Sequence, residues 1–143
     1  MKTTTLTHKD IKRHWHLIDL SDQILGRAAV KIATLISGKG KILTGDHLDN
    51  GDFVIAINSD KIKVTGKKLS DKIYYSHSGF PGGFKELNLS QMMAKDSRRV
   101  IEKAVKGMLP KDKHQQNRLR RLKLFKDEKH QYAVELGFNK KEQ

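Results

Sequence analysis

The chain has 143 residues and no cysteine, which excludes disulfides and cysteine-ligated zinc or iron–sulfur sites. Lysine and arginine total 29 against 16 acidic residues, and the resulting net charge of +13 and pI of about 10.0 are typical of a nucleic-acid-binding domain. No apolar run reaches the ~18–20 residues of a membrane span, and the N-terminus lacks a secretory signal, so we expect a cytoplasmic protein with no membrane partner.

The first half of the chain predicts a strand, a helix and a second strand. Residues 15–20 are apolar enough for a largely buried strand. Apolar positions then recur with helical spacing from Ile24 to Ile36, and Gly38 supplies the C-terminal stop. Residues 52–58 form an apolar run between turn residues, which is typical of a central buried strand.

The second half is less regular. Residues 61–65 predict a half-exposed strand or a strand-like excursion ended by Gly66, and residues 72–76 predict another strand, which leads into a glycine-rich loop. An apolar stripe from Leu89 to Met108 predicts one helix or two. Residues 119–125 fit a helix, a strand or a change from one to the other. Strand–helix–strand order predicts a single α/β domain over residues 1–143 with a mainly parallel sheet and a frayed polar tail.

The positive charge is concentrated towards the C-terminus, in a basic extension at about residues 106–130. Residues 97–129 hold twelve basic and four acidic side chains. Arg118, Arg120 and Arg121 crowd one turn, which costs folding energy unless a partner relieves the repulsion. Such a field suits a polyanion, although a solvated helix face is the alternative.

A second candidate surface is the aromatic and glycine-rich run at residues 74–85. Aromatic and histidine side chains stack on unpaired bases, hydroxyls reach phosphates and riboses, and glycines let the backbone approach a bulky partner. The alternative is that Tyr74 or Tyr75 belongs to the core and that the rest is an ordinary loop.

Other chemistries are poorly supported. Gly40 and Gly45 have the spacing of a phosphate loop, but an Asp-His pair follows where Lys-Ser/Thr is needed. The acidic and histidine residues between positions 46 and 52 match no calcium loop. Ser76 and His77 are adjacent on a strand and point to opposite faces, so they form no hydrolytic pair. We therefore expect no catalytic residue, no metal, no cofactor and no small-molecule substrate.

Two joined motifs carry a family resemblance. Residues 72–85, Lys-Ile-Tyr-Tyr-Ser-His-Ser-Gly-Phe-Pro-Gly-Gly-Phe-Lys, are followed by residues 100–111, Val-Ile-Glu-Lys-Ala-Val-Lys-Gly-Met-Leu-Pro-Lys. With Leu-Gly-Arg-Ala at 25–28 and Lys-Val-Thr-Gly at 63–66, the chain resembles bacterial ribosomal protein L-thirteen of the large subunit. The chain departs from the family at residues 112–117, where a short Gly-Pro-Leu-Gly-Arg turn is usual.

The resemblance implies a three-layer α/β/α domain with a four-stranded, mainly parallel sheet. It also implies a structural constituent of the large ribosomal subunit that binds 23S-type rRNA, packs beside neighbouring large-subunit proteins and supports early assembly, with no enzymatic activity. The residues it implies as rRNA-facing are Lys72, Tyr75, His77, Ser78, Gly79, Gly82, Gly83, Lys85, Lys106 and Lys111. From the charge pattern we add Arg118, Arg120, Arg121 and Lys123. We also expect that changing both Arg120 and Arg121 to glutamate impairs RNA binding far more than folding.

Two rival functions share parts of this pattern. A free RNA-binding translational regulator has every basic feature of the ribosomal interpretation, and only its cellular distribution separates the two. A small hydrolase or nucleotide enzyme would use the loop from Gly40 to His47, and it predicts an activity that is lost in a His47→Ala variant.

Overall fold

A three-stranded parallel sheet forms the centre of the computed structural model, which describes residues 7–42, 45 and 47–137. Strand β2 (Phe53–Ile57) lies between β1 (Trp15–Asp19) and β5 (Leu122–Leu124). Four of the five β2 residues are buried, because the strand has a neighbour on each edge and packed side chains on each face. The apolar run at residues 52–58 predicted this central strand, and that prediction is confirmed.

Helices α1 (Leu25–Ser37) and α3 (Leu89–Met108) cover one face of this sheet. The connections from β1 to β2 and from β2 to β5 run in the same direction across the sheet. Because such crossovers are right-handed, both place their helices on the same face. Accordingly, Val54 and Ala56 share one buried cluster with side chains of α1 and α3, and the short helix α4 (Gln115–Arg120) joins it through Leu119. The predicted stop at Gly38 is also confirmed, since Gly38 ends α1 in the left-handed region at φ 76°.

Aromatic side chains cover the opposite face. The ring of Phe53 stacks on Trp15 with centroids 4.2 Å apart, and Trp15 also stacks on Tyr132 of the C-terminal segment at 5.4 Å. The aromatic contacts of Trp15, Phe53 and Tyr132 thus lie on the face opposite the cluster that contains side chains of α1 and α3.

The expectation of one four-stranded sheet is wrong. The run at residues 61–65 forms a single parallel bridge, between Ile24 and Lys63, and no strand. The run at 72–76 does form a strand, β3 (Ile73–His77), but it pairs with β4 (Phe84–Asn88) as a separate antiparallel hairpin. A hairpin needs only a short loop, whereas joining the sheet in parallel needs a crossover. The four-residue helix α2 (Lys68–Asp71) precedes the hairpin.

Helix α3 is kinked at Asp96, which answers whether this region holds one helix or two. Asp96 has φ −161° and ψ 102°, outside the helical region. Its carboxylate accepts a hydrogen bond from the backbone N–H of Arg98 at 3.2 Å, as an N-cap residue does. Ser97 is fully buried, its hydroxyl lies 2.7 Å from that of Ser59 and it also bonds Asp60. The kink therefore begins a second helical segment that is anchored beside the carboxyl end of β2.

Candidate nucleic-acid interface

The β3–β4 hairpin presents an exposed pair of stacked aromatic rings. Tyr75 and Phe84 have centroids 5.6 Å apart and planes 17° apart, and their residues are 59% and 55% exposed. His77 pairs with Phe84 in the register and, two residues from Tyr75, lies on the same face of the hairpin. On the other face, Tyr74 and Leu87 pack against the core. The hairpin is thus attached by one face and leaves an aromatic face in solvent.

Glycines shape the loop that closes this hairpin. Gly79 and Gly82 adopt φ of 84° and 72°, in the region that other residues rarely enter. The N–H of Gly79 donates to Nδ1 of His77 at 2.9 Å, so a neutral His77 ring carries its proton on Nε2. A Cβ at Gly83 would lie 2.0 Å from Oγ of Ser78, so this position admits no side chain without a shift.

Lysines line a groove between the base of the hairpin and α3. One cavity, of about 370 Å³, has Lys68, Lys72 and Lys103 among its lining residues, over an apolar floor. A second cavity, of about 500 Å³, includes Lys103, Lys106 and Lys111. The two cavities share Lys103 and Gly107, so they are continuous. We call this surface the lysine groove, and define it by Lys68, Lys72, Lys103, Lys106 and Lys111.

The lysines of the lysine groove form no ion pair in the described part of the chain; Asp112 also lines the second cavity, but its carboxylate pairs with Arg118. None of its five ammonium groups lies within 4.0 Å of a carboxylate of residues 7–42, 45 or 47–137. Lys72 and Lys103 instead stand over the ring of Tyr74, at 5.4 and 4.9 Å from its centroid. Burial raises the pKa of the Tyr74 phenol, which keeps the ring neutral between these two cations.

Arg118 and Arg121 lie inside the protein, in an ion-pair cluster around Asp49. Each arginine is 6% exposed. The Arg121 guanidinium holds both carboxylate oxygens of Asp49 (Nη2 to Oδ1, 2.6 Å) and donates to the carbonyl of Ile36 at 3.0 Å. Arg118 Nε lies 3.5 Å from Asp49, and its Nη1 lies 3.3 Å from Asp112. These two guanidinium groups are committed to internal partners.

The environment of Asp49 keeps it ionised. Burial raises the pKa of Asp49, but the hydrogen bond from Arg121 and the charges of Arg121, Arg13 and Arg118 outweigh burial and hold the pKa below its usual value. Gly51 completes this site, because a Cβ there would lie 1.5 Å from the carbonyl oxygen of Ile36 and 2.7 Å from Nη2 of Arg121. Glycine is required at this position, because any side chain would overlap the carbonyl of Ile36 and the guanidinium of Arg121.

The predicted interface residues therefore fall into three groups. The hairpin holds Tyr75, His77, Ser78, Gly79, Gly82, Gly83 and Lys85, and the lysine groove holds Lys72, Lys106 and Lys111. Arg118, Arg120, Arg121 and Lys123 lie around the end of α4 and β5, where Arg120 is exposed, Lys123 is half-buried beside Ile55 in the sheet, and the other two are internal.

Sequence reasoning missed several residues that the structure adds to these surfaces. Phe84 stacks with Tyr75, and it lies in β4, where the apolar and polar residues alternate too weakly to predict a strand. Lys103 precedes Lys106 by three residues on one helix, a spacing that places both on one side. Lys68 lies in the four-residue α2, for which the sequence offers no strong signal.

The carboxylates considered as metal ligands have cationic partners instead. Besides the arginines on Asp49, Asp52 accepts from Lys41 Nζ at 2.6 Å and lies 3.0 Å from His16 Nε2. Asp46, also considered as a ligand, lies outside the described residues. Where the chain is described, no three His, Cys, Asp or Glu side chains are grouped so as to hold a metal ion, and no helix has the length and apolarity to cross a membrane.

Comparison with known proteins identifies the family. The family model described as "Ribosomal protein L13" matches residues 13–131. The chain is 47% identical over 135 residues to "Large ribosomal subunit protein uL13" of Pseudomonas putida, and 45% and 42% identical to proteins of the same name from Pelobacter propionicus and Syntrophotalea carbinolica. Each match covers 94% of this chain and 95% of the relative. This family consists of structural proteins of the large ribosomal subunit, not of enzymes, and the chain belongs to it.

Proposed function

We propose that this chain is built into the large ribosomal subunit by binding 23S-type rRNA through two surfaces, the lysine groove and the aromatic face of the hairpin. One observation carries the proposal: five lysines without carboxylate partners among the described residues line one groove, and this groove meets an exposed aromatic hairpin at Lys72. The relatives named as large-subunit proteins support a location in the large ribosomal subunit.

The two surfaces offer complementary chemistry for RNA. Lysine ammonium groups neutralise phosphates and release condensed counterions, which supplies affinity without sequence selectivity. The rings of Tyr75 and Phe84 present a flat apolar surface on which unpaired bases stack, and Nε2 of His77 offers a donor on the same face. Unpaired RNA with splayed bases fits this combination better than a regular duplex, whose bases are stacked internally.

We assign the interface by burial and pairing. The proposed contacts are Lys68, Lys72, Tyr75, His77, Ser78, Gly79, Gly82, Gly83, Phe84, Lys85, Lys103, Lys106 and Lys111, with Arg120 and Lys123 as a separate basic site. Arg118 and Arg121 are left out, since each is 6% exposed and paired with Asp49. These two residues instead hold α4 and β5 in place.

Two adjoining surfaces also suit a role in assembly. A protein that holds RNA segments at the groove and at the hairpin fixes the distance between those segments, and this reduces the entropy that later folding steps must lose. We therefore propose that the chain supports early assembly of the large subunit in the cytoplasm, beside neighbouring large-subunit proteins. The proposal requires no cofactor, metal or small-molecule substrate.

The test is the salt dependence of binding. The full chain is titrated onto a transcript of large-subunit rRNA between 50 and 200 mM salt, with an unrelated transcript of equal length as the control. Contacts to six phosphates predict a log–log slope of about −4 to −5 by the single-strand coefficient. A slope near zero, or equal affinity for both transcripts, contradicts the proposal. Sedimentation of the cellular protein away from large subunits would instead favour the free translational regulator.

A further inference from the structure

Two helical glycines border the lysine groove, and neither is required by the internal packing of the protein. Gly26 lies in the first turn of α1 and Gly107 in the last turn of α3, and both line the cavity that contains Lys72 and Lys103. A Cβ added at either position meets no atom within 4 Å, and neither glycine has a positive φ. At Gly51, by contrast, the surrounding atoms leave no space for a Cβ.

A glycine in a helix lowers its stability relative to alanine, because glycine has more conformational freedom in the unfolded chain. Neither steric crowding nor backbone conformation explains the absence of a side chain at Gly26 and Gly107. The remaining physical role of glycine is to let another backbone or a bulky partner come close. Both positions open onto the same cavity, so that partner would enter there.

The lining of this cavity specifies the chemistry of its occupant. Its inner surface is mainly apolar, with Leu25, Leu89 and Met108 among the lining residues, and its charged members are all lysines, with no carboxylate. An apolar hollow beside unneutralised ammonium groups fits a ligand with a flat apolar part joined to an anion. The cavity volume of about 370 Å³ gives room for such a group.

We propose that this cavity is a binding site for one unstacked nucleotide of the RNA, with the base against Met108 and Val64 and its phosphate between Lys72 and Lys103. The inference rests on the proposed rRNA binding and deepens it by assigning a pocket, in addition to a surface. Gly26 and Gly107 keep the pocket open. The site continues along α3 to Lys106, so adjoining phosphates follow the rest of the lysine groove.

The test fills the pocket without removing any charge or any packed atom. In Gly107→Met the added side chain occupies the pocket, and in Gly107→Ala only a methyl group enters it. Ala94→Met is the matched control, because it adds a larger apolar side chain to an exposed position of the same helix that lines neither cavity. Urea unfolding is recorded for each variant, and we expect Gly107→Ala and Gly107→Met to be at least as stable as the parent chain.

Affinity for the large-subunit rRNA transcript gives the answer. We expect Gly107→Met to bind about tenfold more weakly, the loss that follows from one base stack, Gly107→Ala to lie between it and the parent chain, and Ala94→Met to match the parent chain. Lys103→Gln should reduce the salt slope by about 0.7, the value for one single-strand phosphate contact.

Two outcomes would overturn the pocket while leaving RNA binding in place. Full affinity in Gly107→Met together with a loss in Lys103→Gln means that the lysines act through surface charge and that nothing enters the cavity. Full affinity in Gly107→Met with reduced incorporation into large subunits assigns the pocket to a neighbouring protein segment. Failure of the parent chain to bind the transcript contradicts the proposed function itself, so the two failures are distinguishable.

Discussion

The adjacent residues Arg120 and Arg121 should behave oppositely when each is changed to glutamine. Arg121 is 6% exposed and holds Asp49, whereas Arg120 is exposed and has no ion pair with the described residues. From the sequence alone, both are predicted RNA contacts. The structure predicts that Arg121→Gln destabilises the fold and that Arg120→Gln affects only binding.

The size of the effect follows from the partners that Arg121 loses. Removing one member of a buried ion pair costs about 3–5 kcal/mol. Asp49 keeps Arg118 at 3.5 Å and Arg13 at 4.0 Å, which lowers the cost of leaving its carboxylate buried. We therefore expect a loss near the lower end, about 3 kcal/mol, or a Tm lower by roughly 6–12 °C for a domain of this size. For Arg120→Gln we expect a change within about 0.5 kcal/mol.

Urea unfolding followed by circular dichroism measures the stability of each variant. The salt slope of rRNA binding, recorded at a temperature where both variants are folded, measures the effect on binding. Arg120→Gln should reduce the slope by about 0.7 if Arg120 contacts one phosphate of unpaired RNA, and Arg121→Gln should leave it unchanged. If Arg121→Gln unfolded at the same urea concentration as the parent chain and its salt slope fell, the Arg121 guanidinium would bind RNA and not Asp49, contrary to the structure.

Three further predictions concern the same cluster and the hairpin. Gly51→Ala should cost more than about 4 kcal/mol in urea unfolding, since its Cβ would overlap the backbone oxygen of Ile36, and a loss below 1 kcal/mol would contradict this. The pKa of Asp49 in the folded protein lies below its ordinary value of 3.8, so the stability that the ionised carboxylate contributes is present above pH 3.8 and is lost as the pH falls through the lower folded pKa. Urea unfolding between pH 6 and pH 2 should show this loss of stability. The Asp49→Asn variant should lack the part of the loss that is due to Asp49, and the acid sensitivity that it retains measures the other carboxylates. Gly83→Ala should displace the hairpin loop at Ser78 and weaken rRNA binding. An unchanged Tm would show that the weaker binding does not come from a loss of fold. Unchanged affinity would instead mean that the loop is not part of the interface.

Local patterns in the sequence predicted those elements whose stabilising contacts are themselves local or repeat regularly. The period of apolar residues together with Gly38 gave α1 nearly to the residue, because burial of one face and a left-handed C-cap are both encoded within one helix length. The run at residues 52–58 likewise gave β2, since a strand with both faces covered is apolar throughout.

The sheet was mispredicted because strand pairing depends on distant parts of the chain. Residues 72–76 have the composition of a strand, but nothing local distinguishes a fourth parallel strand from one arm of a hairpin. The deciding feature is β4, whose residues Phe84 and Lys85 were interpreted as part of a loop. Its alternation is weak, since the hairpin has one face on the core and leaves aromatic residues exposed on the other.

The charges of the candidate site could likewise be predicted only in part, because their pairing also depends on distant residues. A count over residues 97–129 measures how much positive charge is present, but not how much of it is already neutralised inside the protein. Arg121 meets Asp49 across 72 residues of sequence, and only the folded chain shows that this guanidinium is internal. Lys72 and Lys103, which lie outside the arginine-rich turn, stay without carboxylate partners in the described part of the chain.

The burial of Arg118 and Arg121 and the exposure of the groove lysines agree with the different chemistry of arginine and lysine. Guanidinium groups are weakly hydrated and bind a carboxylate through two hydrogen bonds, so they tolerate burial beside Asp49. Lysine ammonium groups are strongly hydrated and are costly to bury, which keeps Lys103 and Lys106 at the surface. A polyanion in the lysine groove would therefore meet lysines, whereas Arg118 and Arg121, which the sequence pattern favoured for phosphate recognition, are internal. The affinity for RNA should accordingly depend strongly on salt and weakly on Arg118 and Arg121.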